Sequence, residues 1–117
     1  MKISEIRDLL QATLLCGEEQ LEREVKSACG SDMMSDVLAF VKDQGVLLTG
    51  LVNPQVMRTA EMMDMHCVVF VRGKNPTPEM VELAQNSDIA VMYSPLRMYE
   101  ACGTLYSAGL GATKVAP

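Results

Sequence analysis

Two runs decide the fold between them: Gly45-Val46-Leu47-Leu48-Thr49-Gly50-Leu51-Val52-Asn53-Pro54 and Cys67-Val68-Val69-Phe70-Val71. Each contains a short, nearly continuous apolar stretch, Val46–Thr49 and Cys67–Val71. Continuous apolar runs of this length fit strands of a parallel sheet whose two faces are both covered. Between them, Asn53-Pro54 sets a capping amide before a proline at the first helical position, where its missing N–H costs nothing. The spacing predicts a helix from Pro54 to Asp64. Strand, helix, strand is one crossover unit.

Working outward, the unit repeats. Thr77-Pro78 opens a helix to Gln85, followed by an apolar strand, Ile89 to Tyr93. A last helix runs from about Pro95 to Ser107. Toward the N-terminus, a helix is read from Asp32 to Asp43 and an extended run from Val25 to Gly30. Before the charged turn Glu18-Glu19-Gln20 comes a short strand, Ala12 to Cys16, ended by Gly17. Ile3, Ile6, Leu9 and Leu10 form a first amphipathic helix, with Ser4 as its candidate cap. Alternating strands and helices imply right-handed crossovers and an α/β three-layer sandwich with a mainly parallel sheet. The expected domain spans residues 1–110, with a short C-terminal tail over 111–117.

Composition narrows the class. The chain has 117 residues, 49% hydrophobic and 21% charged, with a net charge of -5. A single domain of this length buries about two-thirds of its unfolded surface, enough for a core without metal or disulfide staples. Disorder is excluded by the apolar content. An acidic chain without clustered basic residues is a poor phosphate-backbone binder, so no nucleic acid partner is expected. No apolar run approaches the roughly 20 residues that span a bilayer, so no membrane partner is expected either. Met1-Lys2-Ile3-Ser4-Glu5 turns acidic too early for a signal peptide, and the expected location is the cytoplasm.

The chemistry-bearing residues are few. Cys16, Cys29, Cys67 and Cys102 form no C-x-x-C pair, so no zinc knuckle or thioredoxin motif exists. Their plain reading is as buried thiols, Cys102 lying at the centre of the apolar face of the last helix beside Met98, Leu105 and Tyr106. No G-x-S-x-G elbow or phosphate-binding G-x-x-x-x-G-K-[ST] loop is present. The single histidine, His66, reads as a surface turn residue. No catalytic residue, metal ligand or cofactor is therefore assigned, and an enzyme is not expected.

A binding site is chosen by topology instead. Ligands of open α/β sheets collect outside the carboxyl ends of the strands. Those ends carry Ser31 and Asp32, then Asn53 and Gln55, then Arg72 and Lys74, then Ser94. Hydroxyls, an amide, two cations, a carboxylate and helix N-termini along one edge suit a small anion or a nucleotide. Ser31, Asn53 and Ser94 equally fit plain capping roles. Ten methionines supply adaptable apolar surface. Met62 and Met65 point off the core-facing arc of their helix, and a homodimer through them is expected.

The segment Leu21 to Leu38 resembles the signature region of the DRTGG domain family, above all in Ser31-Asp32-Met33-Met34-Ser35-Asp36. Further matches are Thr49-Gly50-Leu51-Val52-Asn53-Pro54-Gln55 and Met98-Tyr99-Glu100-Ala101-Cys102-Gly103-Thr104-Leu105-Tyr106. The resemblance implies a fold similar to the N-terminal domains of HPr kinase/phosphorylase and of Mur ligases. It also implies a regulatory or assembly role, since such domains occur beside CBS domains in regulated pyrophosphatases. Lys26-Ser27-Ala28 stands where the family usually has a Thr-Gly-Gly stretch. Stand-alone copies beside iron-only hydrogenase genes imply two alternatives. One is an accessory protein docking on a partner in redox metabolism. The other is an iron–sulfur or metal carrier using Cys16, Cys29 or Cys67.

Overall fold

The computed structural model describes residues 1–40 and 45–112. In chain order the elements are α1 (Ile3–Leu9), β1 (Thr13–Cys16), a single 3-10 turn (Glu18–Gln20), β2 (Ser27–Gly30), α2 (Met34–Phe40) and β3 (Val46–Thr49). Then come α3 (Pro54–Met62), β4 (Cys67–Phe70), α4 (Pro78–Asn86), β5 (Ala90–Tyr93), α5 (Met98–Ser107) and β6 (Gly111–Ala112). The expected helix end at Asp43 and the tail beyond Ala112 lie outside the described residues.

The sheet has six strands in the order β1-β5-β4-β3-β2-β6. All neighbours are parallel except β1, which runs antiparallel to β5 at one edge. The sheet is thus mixed, as a mainly parallel architecture allows. At the other edge Gly111 and Ala112 pair with β2, so the sheet extends into residues read from sequence as tail.

Period-two alternation along the strands feeds two cores. Leu47, Val68, Phe70 and Val91 face α2, α3 and α4. Val46, Leu48, Cys67, Val69 and Met92 face α1 and α5. The progression β2 to β5 moves one way across the sheet and keeps α2, α3 and α4 on one face. The return from β5 to β6 reverses direction and puts α5 on the other, as a uniform crossover hand requires. The three layers follow.

Helix starts are largely as the sequence predicts. Asn53 Oδ1 accepts from the Gln55 N–H at 2.8 Å and Thr77 Oγ1 from the Met80 N–H at 3.3 Å. Ser4 is a correction: the N-cap of α1 is Lys2, whose N–H donates to Glu5 Oε1. Helix ends follow a rule the sequence hides. In α1, α3, α4 and α5 the residue after the cap is left-handed, namely Gln11, Asp64, Asp88 and Gly109. The next N–H then reaches back five residues, from Ala12 to Arg7, Met65 to Ala60, Ile89 to Ala84 and Leu110 to Leu105. This is the Schellman stop, which returns the following apolar side chain to the core. Met65 is therefore buried, 3% exposed, and not a surface residue of a continuing helix. Its expected interface role is corrected.

Candidate ligand site at the carboxyl edge of the sheet

The loops after β2, β3 and β4 lead to one face of the sheet and the loop after β5 to the other. The topological switch point therefore lies between β4 and β5, where open sheets form their ligand crevice. Here that crevice is stitched shut. The N–H groups of Arg72 and Gly73 donate to Leu96 O and Ser94 O, each at 2.7 Å. Arg72 and Gly73 are both left-handed, with φ 60° and 67°, and the Lys74 N–H closes the turn on Val71 O. Two positive φ angles at the central positions are the pattern of a type I′ turn. A left-handed arginine costs about 1–2 kcal/mol, so the surrounding bonds must hold it there.

The turn aims the Arg72 side chain across to β3, over Gly50. A Cβ added at Gly50 would stand 2.6 Å from Arg72 Nη2 and 3.2 Å from Nε. A side chain at position 50 would displace the guanidinium from that space. From the other side, Asp32 Oδ1 accepts from the Gly50 N–H at 2.7 Å and from Thr49 Oγ1 at 3.0 Å. Asp32 and Arg72 thus converge on one glycine. Both side chains are exposed. Among the described residues neither Arg72 nor Lys74 makes an ion pair with a carboxylate.

The other predicted site residues separate into two groups. Ser94 is fully buried, donating to Leu10 O at 2.6 Å and accepting from the Leu96 N–H. It ties α1 to the β5–α5 loop and cannot touch a ligand, which corrects its assignment. Asn53 spends its carbonyl on the α3 cap, and Ser31 Oγ accepts from the Met33 N–H two residues on. Arg72, Lys74, Gln55 and Asp32 remain exposed at the rim. The edge is cationic on one side, with fixed N–H groups and a carboxylate on the other.

The opposite edge carries a feature that sequence reasoning missed. A cavity of about 570 Å³ is lined by Arg23, Glu61, Asp64, His66, Ser87 and Asp88, among others. Arg23 Nη1 donates to His66 Nδ1 at 3.0 Å, and Ser87 Oγ donates to Glu61 at 3.1 Å. Desolvation by burial, then the neighbouring Arg23 charge, pushes the His66 pKa down. The left-handed helix stops at Asp64 and Asp88 place both carboxylates at this edge, and no glycine marks either stop in the sequence.

The thiols are quiet. Burial raises the pKa of Cys16, Cys29, Cys67 and Cys102. Cys102 is half-buried, its thiol 3.7 Å from Met98 Sδ, and Tyr106 beside it is exposed. The expected full burial of Cys102 is corrected, because the apolar face of α5 is narrower than the helical wheel suggests. Among the described residues no group of three His, Cys, Asp or Glu side chains comes together to hold a metal ion, which leaves the carrier alternative without support. No described helix is long and apolar enough to cross a membrane.

Comparison with known proteins agrees with this geometry. The DRTGG domain family model matches residues 5–108. The chain belongs to the DRTGG domain family. Among solved structures, it is similar to the CBS and DRTGG domains of the regulatory region of Clostridium perfringens pyrophosphatase, complexed with its activator diadenosine tetraphosphate. The TM-score is 0.74 at 19% identity, over 89% of this chain and 45% of that one. At that identity the likeness is one of fold, and this DRTGG chain spans less than half of the longer regulatory region. No match was found among curated proteins.

Proposed function

We propose that this DRTGG protein is a non-catalytic regulatory domain that senses an adenine nucleotide or a related phosphate-bearing anion at the carboxyl edge of its sheet. One observation carries the reading: Arg72 is held left-handed at the topological switch point, its guanidinium laid over Gly50 with no carboxylate partner among the described residues. A strained turn that keeps a cation exposed and without a carboxylate partner is an arrangement suited to an incoming anion. Lys74 adds a second charge two residues on, and the start of α3 supplies a favourable dipole. The solved relative, a regulatory region complexed with an adenine-containing activator, supports the same ligand class.

The test is binding. A thermal-shift series with adenine nucleotides should raise the melting temperature, because a ligand that binds only the folded state stabilises it by mass action. Replacing Arg72 and Lys74 together by Ala should weaken that binding about tenfold or more, since hydrogen bonds to charged groups are worth roughly 1.5–3 kcal/mol each. Unchanged affinity in the double variant would remove the site from this edge.

A further inference from the structure

The carboxyl edge holds a carboxylate for which a bare anion has no use. The Ser31 N–H donates to Leu48 O at 3.0 Å, extending the β2–β3 ladder by one bond, and Asp32 is the next residue. Its Oδ1 accepts from both the Gly50 N–H and Thr49 Oγ1. Thr49 is fully buried, and its oxygen also accepts from the Leu51 N–H at 3.1 Å, so its proton is committed to Asp32. The carboxylate is thus fixed by a buried hydroxyl and a main-chain donor, although it lies at the surface. Among the described residues nothing bonds to Oδ2. Asparagine would close the loop equally well, since an amide oxygen accepts the same two bonds. The second oxygen and the charge are what loop closure leaves unexplained.

Arg72 stands on the other side of the same glycine. Measured through the Gly50 N–H and its Cβ direction, Asp32 Oδ1 and Arg72 Nη2 lie at most about 8 Å apart, yet they form no ion pair. We infer, resting on the anion site proposed above, that Asp32 reads hydroxyl donors on the ligand whose phosphate Arg72 and Lys74 take. The site then selects ribose-bearing nucleotides over deoxy forms and over inorganic phosphates. A carboxylate beside an incoming phosphate is repulsive unless the ligand also brings a donor. An ammonium or a hydroxyl pair would serve, and charge separates them. Arg72, Lys74 and Asp32 together carry one positive charge in excess. A zwitterion leaves that charge unmatched, whereas a phosphate ester with a neutral diol answers it. An ionised carboxylate oxygen has two lone-pair sites, so Oδ2 alone can accept from both hydroxyls of a ribose. The gap is one that a phosphoribosyl group with a hydrogen bond at each end can bridge. Carboxylates near strand ends bind ribose hydroxyls in other open α/β sheets.

A purely structural Asp32 is the rival, and one substitution separates the two. Asp32→Asn keeps an oxygen for the Gly50 N–H and the Thr49 hydroxyl, so the urea midpoint should stay near that of the wild type. It replaces Oδ2 by an NH2 group, which donates and cannot accept.

The experiment is calorimetric titration of the whole chain with ATP, 2′,3′-dideoxy-ATP and inorganic tripolyphosphate. The wild type should bind ATP about tenfold or more tighter than the dideoxy form, the difference expected for hydrogen bonds to a charged group. This comparison needs no variant. In Asp32→Asn the two nucleotides should bind alike, and tripolyphosphate should bind at least as tightly as to the wild type, because a repelling charge has gone. Arg72→Ala should weaken all three. Wild-type binding of ATP no tighter than that of the dideoxy form overturns the role of Asp32, and tripolyphosphate binding then shows that the phosphate site still stands. A preference for ATP that survives Asp32→Asn overturns it too, as does weaker tripolyphosphate binding in a folded Asp32→Asn variant. If none of the three ligands binds the wild type, the role of Asp32 and the anion site fall together.

Discussion

Strand β3 is bracketed by two buried glycines, and they serve opposite ends of the molecule in opposite ways. At its start, a Cβ on Gly45 would run into the carbonyl oxygen of Ser27 and stand 2.6 Å from the Ser27 hydroxyl. Ser27 is a buried residue of the neighbouring strand β2, so the obstacle is backbone that cannot yield. At its end, the three atoms nearest a Cβ on Gly50 all belong to the tip of the Arg72 side chain. That obstacle is the far end of a flexible, exposed chain. The amino edge spends its glycine on sheet packing. The carboxyl edge spends it on holding one cation in place, which is why we assign the ligand there.

The sharpest way to break this contrast is to add the same methyl group at both ends. Gly45→Ala should destabilise the domain by about 3 kcal/mol, the upper range for overpacking a rigid site. Urea unfolding should show a lowered midpoint with an unchanged slope. If Gly45→Ala were as stable as wild type, β2 and β3 would not be locked in the way described. Gly50→Ala should change stability by less than about 1 kcal/mol, because a surface arginine can swing away. Its effect should appear in binding instead: nucleotide affinity should fall by about tenfold, near the loss expected for deleting Arg72 itself. Wild-type affinity in Gly50→Ala would mean that the guanidinium need not lie where it does.

The same contrast explains what was legible in the sequence. Strand β3 and the proline-marked starts of α3 and α4 were readable because local chemistry forces them: continuous apolar runs, Asn53-Pro54 and Thr77-Pro78. The set of residues at the carboxyl edge was readable from topology alone. Their division into structural and free groups was not. Ser94 bonds to Leu10, 84 positions away, and no local pattern announces such a partner. Helix ends misled for a different reason. The left-handed stop is marked by glycine only at Gly109, while Gln11, Asp64 and Asp88 perform it elsewhere. Asp tolerates that conformation more readily than most residues, but it does not advertise it. Met65 was misplaced for this reason, and so was the cavity that Asp64 and Asp88 line. Gly111 and Ala112 carry no strand signature of their own, and their place in the sheet depends wholly on β2.

The smallest expected effect concerns the amino edge and its only titrating imidazole. His66 accepts a hydrogen bond from Arg23 and is half-buried, and both circumstances favour the neutral ring. Its pKa in the folded chain is accordingly below the ordinary 6.5, burial being the larger cause and Arg23 the second. The unfolded chain therefore binds more protons than the folded one in the interval between the two values. By linkage, stability rises with pH across that interval, is fully present above about 6.5, and is lost as the pH falls from there through the folded value. Lowering the pH from about 7.5 to about 5.5, one unit either side of the free value, should reduce the urea midpoint of the wild type. Carboxylates contribute to the same trend, so the informative quantity is the difference from a variant. His66→Gln keeps a polar side chain toward Arg23 and removes the titration, so its midpoint should fall less over the same range. Identical pH slopes for the two proteins would mean that the Arg23–His66 contact carries no proton linkage, and that the two edges of the sheet differ in packing alone.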